Sequence, residues 1–138
     1  MAISRENARD MIARQPISNL VTIDENGFPA ERAMYTARVD DDFTVYFATS
    51  TEMDKCAQIQ KNPGIVVFWP IENGYLSLRG EAEVTTDQAA RNLIWQDVFA
   101  AHFKGGCSDP TLAVIKITPR SLSYYKQNGL ETEDVLIG

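Results

Sequence analysis

The feature that most constrains this 138-residue chain is a strand that runs directly into a short helix. In residues 43–49, Val45 and Phe47 alternate among Thr44, Tyr46 and Thr49, the pattern of a β-strand. Ser50 and Thr51 follow as hydroxyl residues able to cap a helix, with Asp54 three positions after Thr51, close to capping-box spacing. Met53, Cys56, Ala57 and Ile59 then recur on one predicted helical face, and Asn62 with Pro63 ends the run. Such a junction presents free backbone N–H groups in a concave spot, which suits an anion and above all a phosphate. Helical side chains lean toward the N-terminus, so Lys55 can reach an anion held by Thr49, Ser50 and the helix start. The plainer reading of the same residues is a capped helix with a solvated lysine. The stretch alone leaves both readings open.

Length and composition narrow the classes. The chain predicts one domain over 1–138, long enough for a sizeable core. A formal net charge of −6 argues against a nucleic-acid or anionic-membrane surface, so any anion site must come from a local cluster of cations. No apolar run reaches the length of a membrane span, and the first residues lack the apolar core of a signal peptide. The two cysteines, Cys56 and Cys107, make neither a disulfide framework nor a metal-ligand spacing. The expectation is a cytoplasmic protein with reduced thiols.

Taken in order, the chain reads as strands joined by tight turns. Ser4 is placed to cap a helix with Ala8, Met11 and Ile12 on its apolar face, closing before Pro16. Residues 19–23 and 30–39 read as strands around a turn with Asn26 and Gly27 at its tip. Asp40, Asp41 and Asp42 form a solvated loop into the third strand, with little to favour a metal. Residues 64–69 are a nearly continuous apolar run, as expected of a strand covered on both faces. A second Asn-Gly turn at Asn73 and Gly74 leads to a strand over 75–84, in which Gly80 marks a bend or bulge. Thr86 or Asp87 caps a helix carrying Ala90, Leu93, Ile94, Val98 and Phe99, ended by Gly105 and Gly106. Residues 112–117 are the sixth strand, prolonged by 122–125, and 126–138 read as a tail or partner-binding arm. The sum is mainly β with flanking helices, a six-stranded antiparallel barrel; the absence of regular βαβ alternation disfavours a Rossmann fold.

The order of landmarks resembles the pyridoxamine 5'-phosphate oxidase-like FMN-binding split-barrel family, and most closely its general-stress-protein branch. The landmarks are Gly27, Phe28 and Pro29; Arg32 on the second strand; Phe47, Ala48 and Thr49 with Lys55; residues 59–63; Gly80, Glu81 and Ala82; and Pro119 followed by Tyr124 and Tyr125. The match spans about residues 18–125. The resemblance implies a split β-barrel of Greek-key type and a homodimer with FMN in each interface cleft. On it, Arg32 and Lys55 are cationic partners of the FMN phosphate, and Thr49 and Ser50 are hydroxyl contacts. The backbone of Ala33, Met34 and Tyr35 runs beside the isoalloxazine edge. Tyr75 maps near the contact from the other subunit, and Tyr124 and Tyr125 map to an aromatic pair.

The chain also departs from the true oxidases. Where they carry an arginine directly before the helix lysine, this chain has Asp54; where they carry a second-strand lysine, it has Ala37. Their C-terminal substrate clamp, rich in Arg and His, is replaced by residues 127–133, which include Glu131 and Glu133. Pyridoxamine phosphate oxidation is therefore not expected. No residue stands out as a general acid, base or nucleophile, which agrees with a flavin carrying the electron chemistry.

Several residues hold two readings. Phe68 and Trp69 are either a ring platform near the flavin or core. Trp95 reads as packing or dimer contact. His102, the only histidine, is either a haem ligand or a helix-end residue. Cys56 reads as a small core residue and Cys107 as exposed and oxidisable. The leading functional expectation is an FMN-dependent oxidoreductase between reduced nicotinamide and a small molecule. The alternatives are a non-catalytic flavin-binding or stress module and a haem-binding relative of the same fold.

Overall fold

A computed structural model describes residues 3–126 and 131–135. The elements in chain order are α1 (Arg5–Ala13), β1 (Ile17–Ile23), β2 (Pro29–Val39), β3 (Val45–Ser50), α2 (Asp54–Lys61), β4 (Gly64–Ile71), β5 (Gly74–Thr85), α3 (Gln88–Ile94), β6 (Leu112–Lys126) and β7 (Glu131–Val135). Short 3-10 helices span Asp97–Ala101 and Gly106–Ser108. The strands form one antiparallel sheet in the order β3-β2-β1-β4-β5-β6-β7. β3 also pairs with β6, from Val45 opposite Ile117 to Ser50 opposite Leu112, so the first six strands close on themselves as a barrel. The return of β4 to lie beside β1 is the Greek-key step. The expected six-stranded split barrel is the fold, with β7 added along the far half of β6.

Alternation explains the core. Leu20, Val45, Phe47, Ile65, Val67, Trp69, Leu76, Leu78, Ile115, Ile117 and Leu122 all point inward and are buried. The Trp69 indole N–H, taken out of water with its ring, donates to Thr36 Oγ1 at 3.3 Å. A second cluster lies outside the barrel wall, where Tyr46, Leu112 and Val114 are covered by Ile94, Phe99 and Phe103.

Local signals placed most elements. Ser4 caps α1, its hydroxyl accepting from the Asn7 N–H, and Ala8 and Ile12 bury its apolar face. Gly27 and Asn73 adopt positive φ in the two Asn-Gly turns. Gly80 sits at the register shift between β5 and β6, where a Cβ would lie 2.4 Å from the Thr118 carbonyl oxygen.

Five expectations need correction. The third strand begins at Val45, because Phe43 is a buried turn residue with φ 66° and its N–H donates to the Asp40 carbonyl. The apolar run of β4 is covered on one side: Ile65, Val67 and Trp69 are buried, whereas Val66 and Phe68 are half-buried on the outer face. The long helix expected up to Gly105 stops at Ile94, since Trp95 is extended and Gln96 turns its side-chain amide to the Ala37 carbonyl at 2.9 Å. Val98 is left exposed. The short helix lacks its side-chain cap: Ser50 Oγ accepts from the Glu52 N–H, the N-cap position falls to Met53, and Met53 and Ala57 are exposed. The segment expected as a tail or dimer arm returns in part as β7, which places Val135 in the core; residues 127–130 and 136–138 lie outside the described residues.

The acidic loop is tied down by its neighbours. Asp40 pairs with Arg38 at 2.6 Å and accepts from the Tyr46 hydroxyl at 2.8 Å, and Asp41 pairs with Arg9 at 3.0 Å. Burial and the Asp40 partner push the Tyr46 phenol up to about 12 from its usual 10.0.

Two measurements check this frame. Gly80→Ala should lower stability by about 1–3 kcal/mol, read as a lower urea midpoint at unchanged slope. The Tyr46 phenol keeps its proton more firmly when folded, so its contribution is full below about pH 10 and is lost as pH rises through about 12. Tyr46→Phe should therefore flatten the fall of melting temperature across that window.

Candidate functional site

The junction between β3 and α2 gathers the strongest polar cluster. Thr49 follows Phe47 on the inward face of β3 and is buried. The chain leaves the strand through Ser50, whose carbonyl accepts from the Met53 N–H, and α2 begins at Asp54. α2 packs against β1 and β5 with Ile59 in the barrel core. This seating turns Lys55 inward rather than into solvent: it is 7% exposed, and its Nζ donates to Thr49 Oγ1 at 3.1 Å.

Arg32 reaches the same place from β2. It lies opposite Leu20 in the β1–β2 register and so shares the inward face. Its Nη1 donates to the Leu20 carbonyl at 3.2 Å and to Thr22 Oγ1 at 2.8 Å, and its Nη2 donates to Gln58 Oε1 at 3.2 Å. Thr22 Oγ1 in turn donates to Gln58 Oε1 at 2.5 Å. Among the described residues, every acceptor of both cations is neutral.

Electrostatics follow from that geometry. Burial pushes the Lys55 ammonium down from the usual lysine range, and the nearby Arg32 charge pushes it further. Burial also lowers Arg32, partly offset by Asp54. Asp54 is exposed at the first position of α2, and among the described residues it forms no ion pair within 4.0 Å with either cation. An ammonium has three donors, and among the described residues one is placed, to Thr49. A buried charge with unfilled donors costs several kcal/mol unless an anion completes it. The arrangement is suited to holding a phosphate-like group.

The other sequence-predicted residues lie elsewhere on the wall. β2 pairs with β3 only from Thr36 onward, so among the described residues the backbone of Ala33, Met34 and Tyr35 has no strand on its β3 side. The Tyr35 hydroxyl donates to Gln96 Oε1 at 3.0 Å. Ser50 is half-buried at the end of β3, facing away from Thr49. Tyr75 and Tyr125 are paired across β5 and β6 and stacked at 5.1 Å, and Phe68 packs on Tyr75 at 4.8 Å. These rings share the outer face, since the neighbouring Leu76 points inward. The structure therefore brings Arg32, Thr49 and Lys55 together and leaves Tyr75 and Tyr125 on the opposite side of the wall of the same chain.

Thr22 and Gln58 escaped the sequence reading. Gln58 lies one turn after Lys55 on the same helical face, and Thr22 is a polar residue at an inward position of β1; the spacing shows where each points, but not that both meet Arg32. The doubtful aromatics divide: Trp69 is core, whereas Phe68 is half-exposed beside Tyr75. Trp95 packs edge-on against Phe99. His102 is exposed at the end of a 3-10 helix, and no group of three His, Cys, Asp or Glu gathers among the described residues. Cys56 is buried with its thiol on the Ser50 carbonyl, and Cys107 is half-buried beside Asn92. No helix of the described residues is long and apolar enough to cross a membrane.

Comparison with known proteins agrees with this architecture. General stress protein 26 of Bacillus subtilis (strain 168) is 24% identical over 123 residues, covering 86% of this chain and 85% of that protein. A Clostridium acetobutylicum protein related to general stress protein 26 superposes with a TM-score of 0.83 at 23% identity, over 96% of this chain and 95% of that one. A pyridoxamine 5'-phosphate oxidase-related, FMN-binding protein of Nostoc punctiforme PCC 73102 superposes with a TM-score of 0.67 at 17% identity, over 97% of this chain and 89% of that one. Both solved structures share the split-barrel fold. Residues 4–136 match the family described as pyridoxamine 5'-phosphate oxidase like, and the chain belongs to that family.

Proposed function

We propose that this chain binds FMN, with the phosphate held by Lys55, Arg32 and Thr49, in a homodimer that passes electrons between a reduced nicotinamide and a small molecule. One observation carries the reading: a lysine nine-tenths buried, beside an arginine, with only neutral hydroxyl, carbonyl and amide oxygens as partners among the described residues. A doubly charged phosphate monoester is the ligand that such a pair complements.

FMN, when bound, supplies the redox chemistry. The chain's residues bind and orient. Lys55 and Thr49 grip one end, and the unpaired edge of β2 from Ala33 to Tyr35 offers backbone N–H and C=O groups to the polar rim of the ring. The outward stack of Phe68, Tyr75 and Tyr125 faces away from its own phosphate cluster, so it serves the cleft only through a second copy of the chain. The FMN-binding Nostoc relative supports this reading. Pyridoxamine phosphate oxidation is disfavoured by Asp54 and Ala37, which stand where the oxidases carry cations.

The test is titration of the purified protein with FMN and with riboflavin, which lacks the phosphate. The parent should bind FMN more tightly, and Lys55→Met should weaken FMN by about ten- to a hundredfold while leaving riboflavin unchanged. Because burial disfavours the ammonium in the folded state, the same variant without ligand should be neutral to about 1 kcal/mol more stable. Equal affinity for the two flavins in the parent would refute the phosphate site. Anaerobic bleaching of the bound flavin by NADH or NADPH checks electron transfer; a spectrum unchanged by both would leave a binding module only. Asp54→Asn removes a carboxylate whose field reaches both cations, and should tighten FMN by about two- to tenfold at low salt, less at high salt.

A further inference from the structure

We infer that Gln58 is the positioning residue of this site, and that its lack of charge is what keeps Arg32 and Lys55 available to an anion. The inference rests on the FMN phosphate reading above and adds a residue to it. Gln58 projects from α2 with its Oε1 accepting twice, from Thr22 Oγ1 at 2.5 Å and from Arg32 Nη2 at 3.2 Å. Thr22 Oγ1 also accepts from Arg32 Nη1 at 2.8 Å. Guanidinium, hydroxyl and amide oxygen thus close a ring that joins β1, β2 and α2 and fixes the plane of the arginine fork.

A carboxylate would fit this position better by hydrogen bonding alone. Glutamate has the length of glutamine, its oxygen accepts from the same two donors, and its charge would pair with the guanidinium. That pair would neutralise Arg32 within the cluster and set a negative charge beside Lys55. An incoming phosphate would then meet one net positive charge in place of two, with a carboxylate among its neighbours. The amide keeps the fork oriented and leaves the charge unspent, at a cost in stability that an ion pair would have avoided. A purely structural role for Gln58 makes the opposite demand, since any group that ties Arg32 down would then serve.

The two roles separate in a pair of variants, titrated with FMN and with riboflavin and melted without ligand. Gln58→Glu should keep the parent's riboflavin affinity, melt no lower than the parent, and bind FMN at least about tenfold more weakly, because the charge-assisted contacts to the phosphate are weakened. Gln58→Met, which has similar length and no acceptor, should lose less FMN affinity than Gln58→Glu because both cations keep their charge. Three results would overturn the inference: FMN affinity unchanged in Gln58→Glu, parallel loss of both flavins with a lower melting temperature, or a larger FMN loss in Gln58→Met than in Gln58→Glu. A parent that binds FMN no better than riboflavin would overturn the phosphate site itself, and the role of Gln58 with it; that failure shows in the parent and is distinct from the other three.

Discussion

The pairing of β3 with β6 is the contact on which the rest depends. It joins residues far apart in sequence, Val45 to Ser50 with Leu112 to Ile117, and turns an open sheet into a barrel. Closure buries Val45 and Phe47 on one side of β3, while Tyr46 on the other side is covered by Phe99 and its neighbours. The same pairing fixes where the strand ends, because the Thr51 N–H donates to the Thr111 carbonyl just beyond the last register pair. The chain can then only turn into α2 over β1 and β5, and that direction carries Lys55 inward onto Thr49. The barrel seam and the cation site are one piece of structure.

Stability and ligand capture oppose each other at this seam. A fold selected for stability alone would place an acid beside Lys55 or replace the lysine with an apolar residue, since buried ion pairs seldom outperform good packing and an uncompensated charge is worse. Here burial and then the nearby Arg32 charge disfavour the Lys55 ammonium, and the acceptors around the two cations among the described residues are a carbonyl, two hydroxyls and an amide. Asp54 moderates the field from an exposed position without entering the cluster. Its charge would weaken the hold of the proposed site on a phosphate relative to a cation at the same place. Binding of a dianion would offset the cost of holding these two charges together.

Much of this was legible in residue order because the local signals and the tertiary demands agree. Ser4, the two Asn-Gly turns and Gly80 each act within a few residues, and the structure uses each as local chemistry predicts. The failures come where a distant partner decides. The helical spacing of Ala90, Leu93 and Ile94 continues smoothly to Val98, yet Gln96 leaves the helix to satisfy the Ala37 carbonyl on β2. The β4 run looked buried on both faces because Val66 and Phe68 are as apolar as Ile65 and Val67; within one chain only one face has a core to meet. β7 is polar in sequence and owes its place to pairing with β6 and to Val135. In the site, the lysine, the arginine and Thr49 were readable as types, but the neutral set around Arg32 was not, because Thr22 and Gln58 meet it only through the β1–β2 register and the seating of α2.

The protonation of the bound phosphate is the most direct test of this account. The second ionisation of a phosphate monoester lies near pH 6, so free FMN titrates between about pH 5 and 8. Held by the buried Lys55 and the half-buried Arg32, the dianion would be favoured and that ionisation should fall below the window. Phosphorus NMR of the protein loaded with FMN should show one bound resonance at the dianion position that does not move across that range. A bound resonance that titrates like free FMN would mean that the phosphate sits in water, away from Lys55 and Arg32, and would contradict the account.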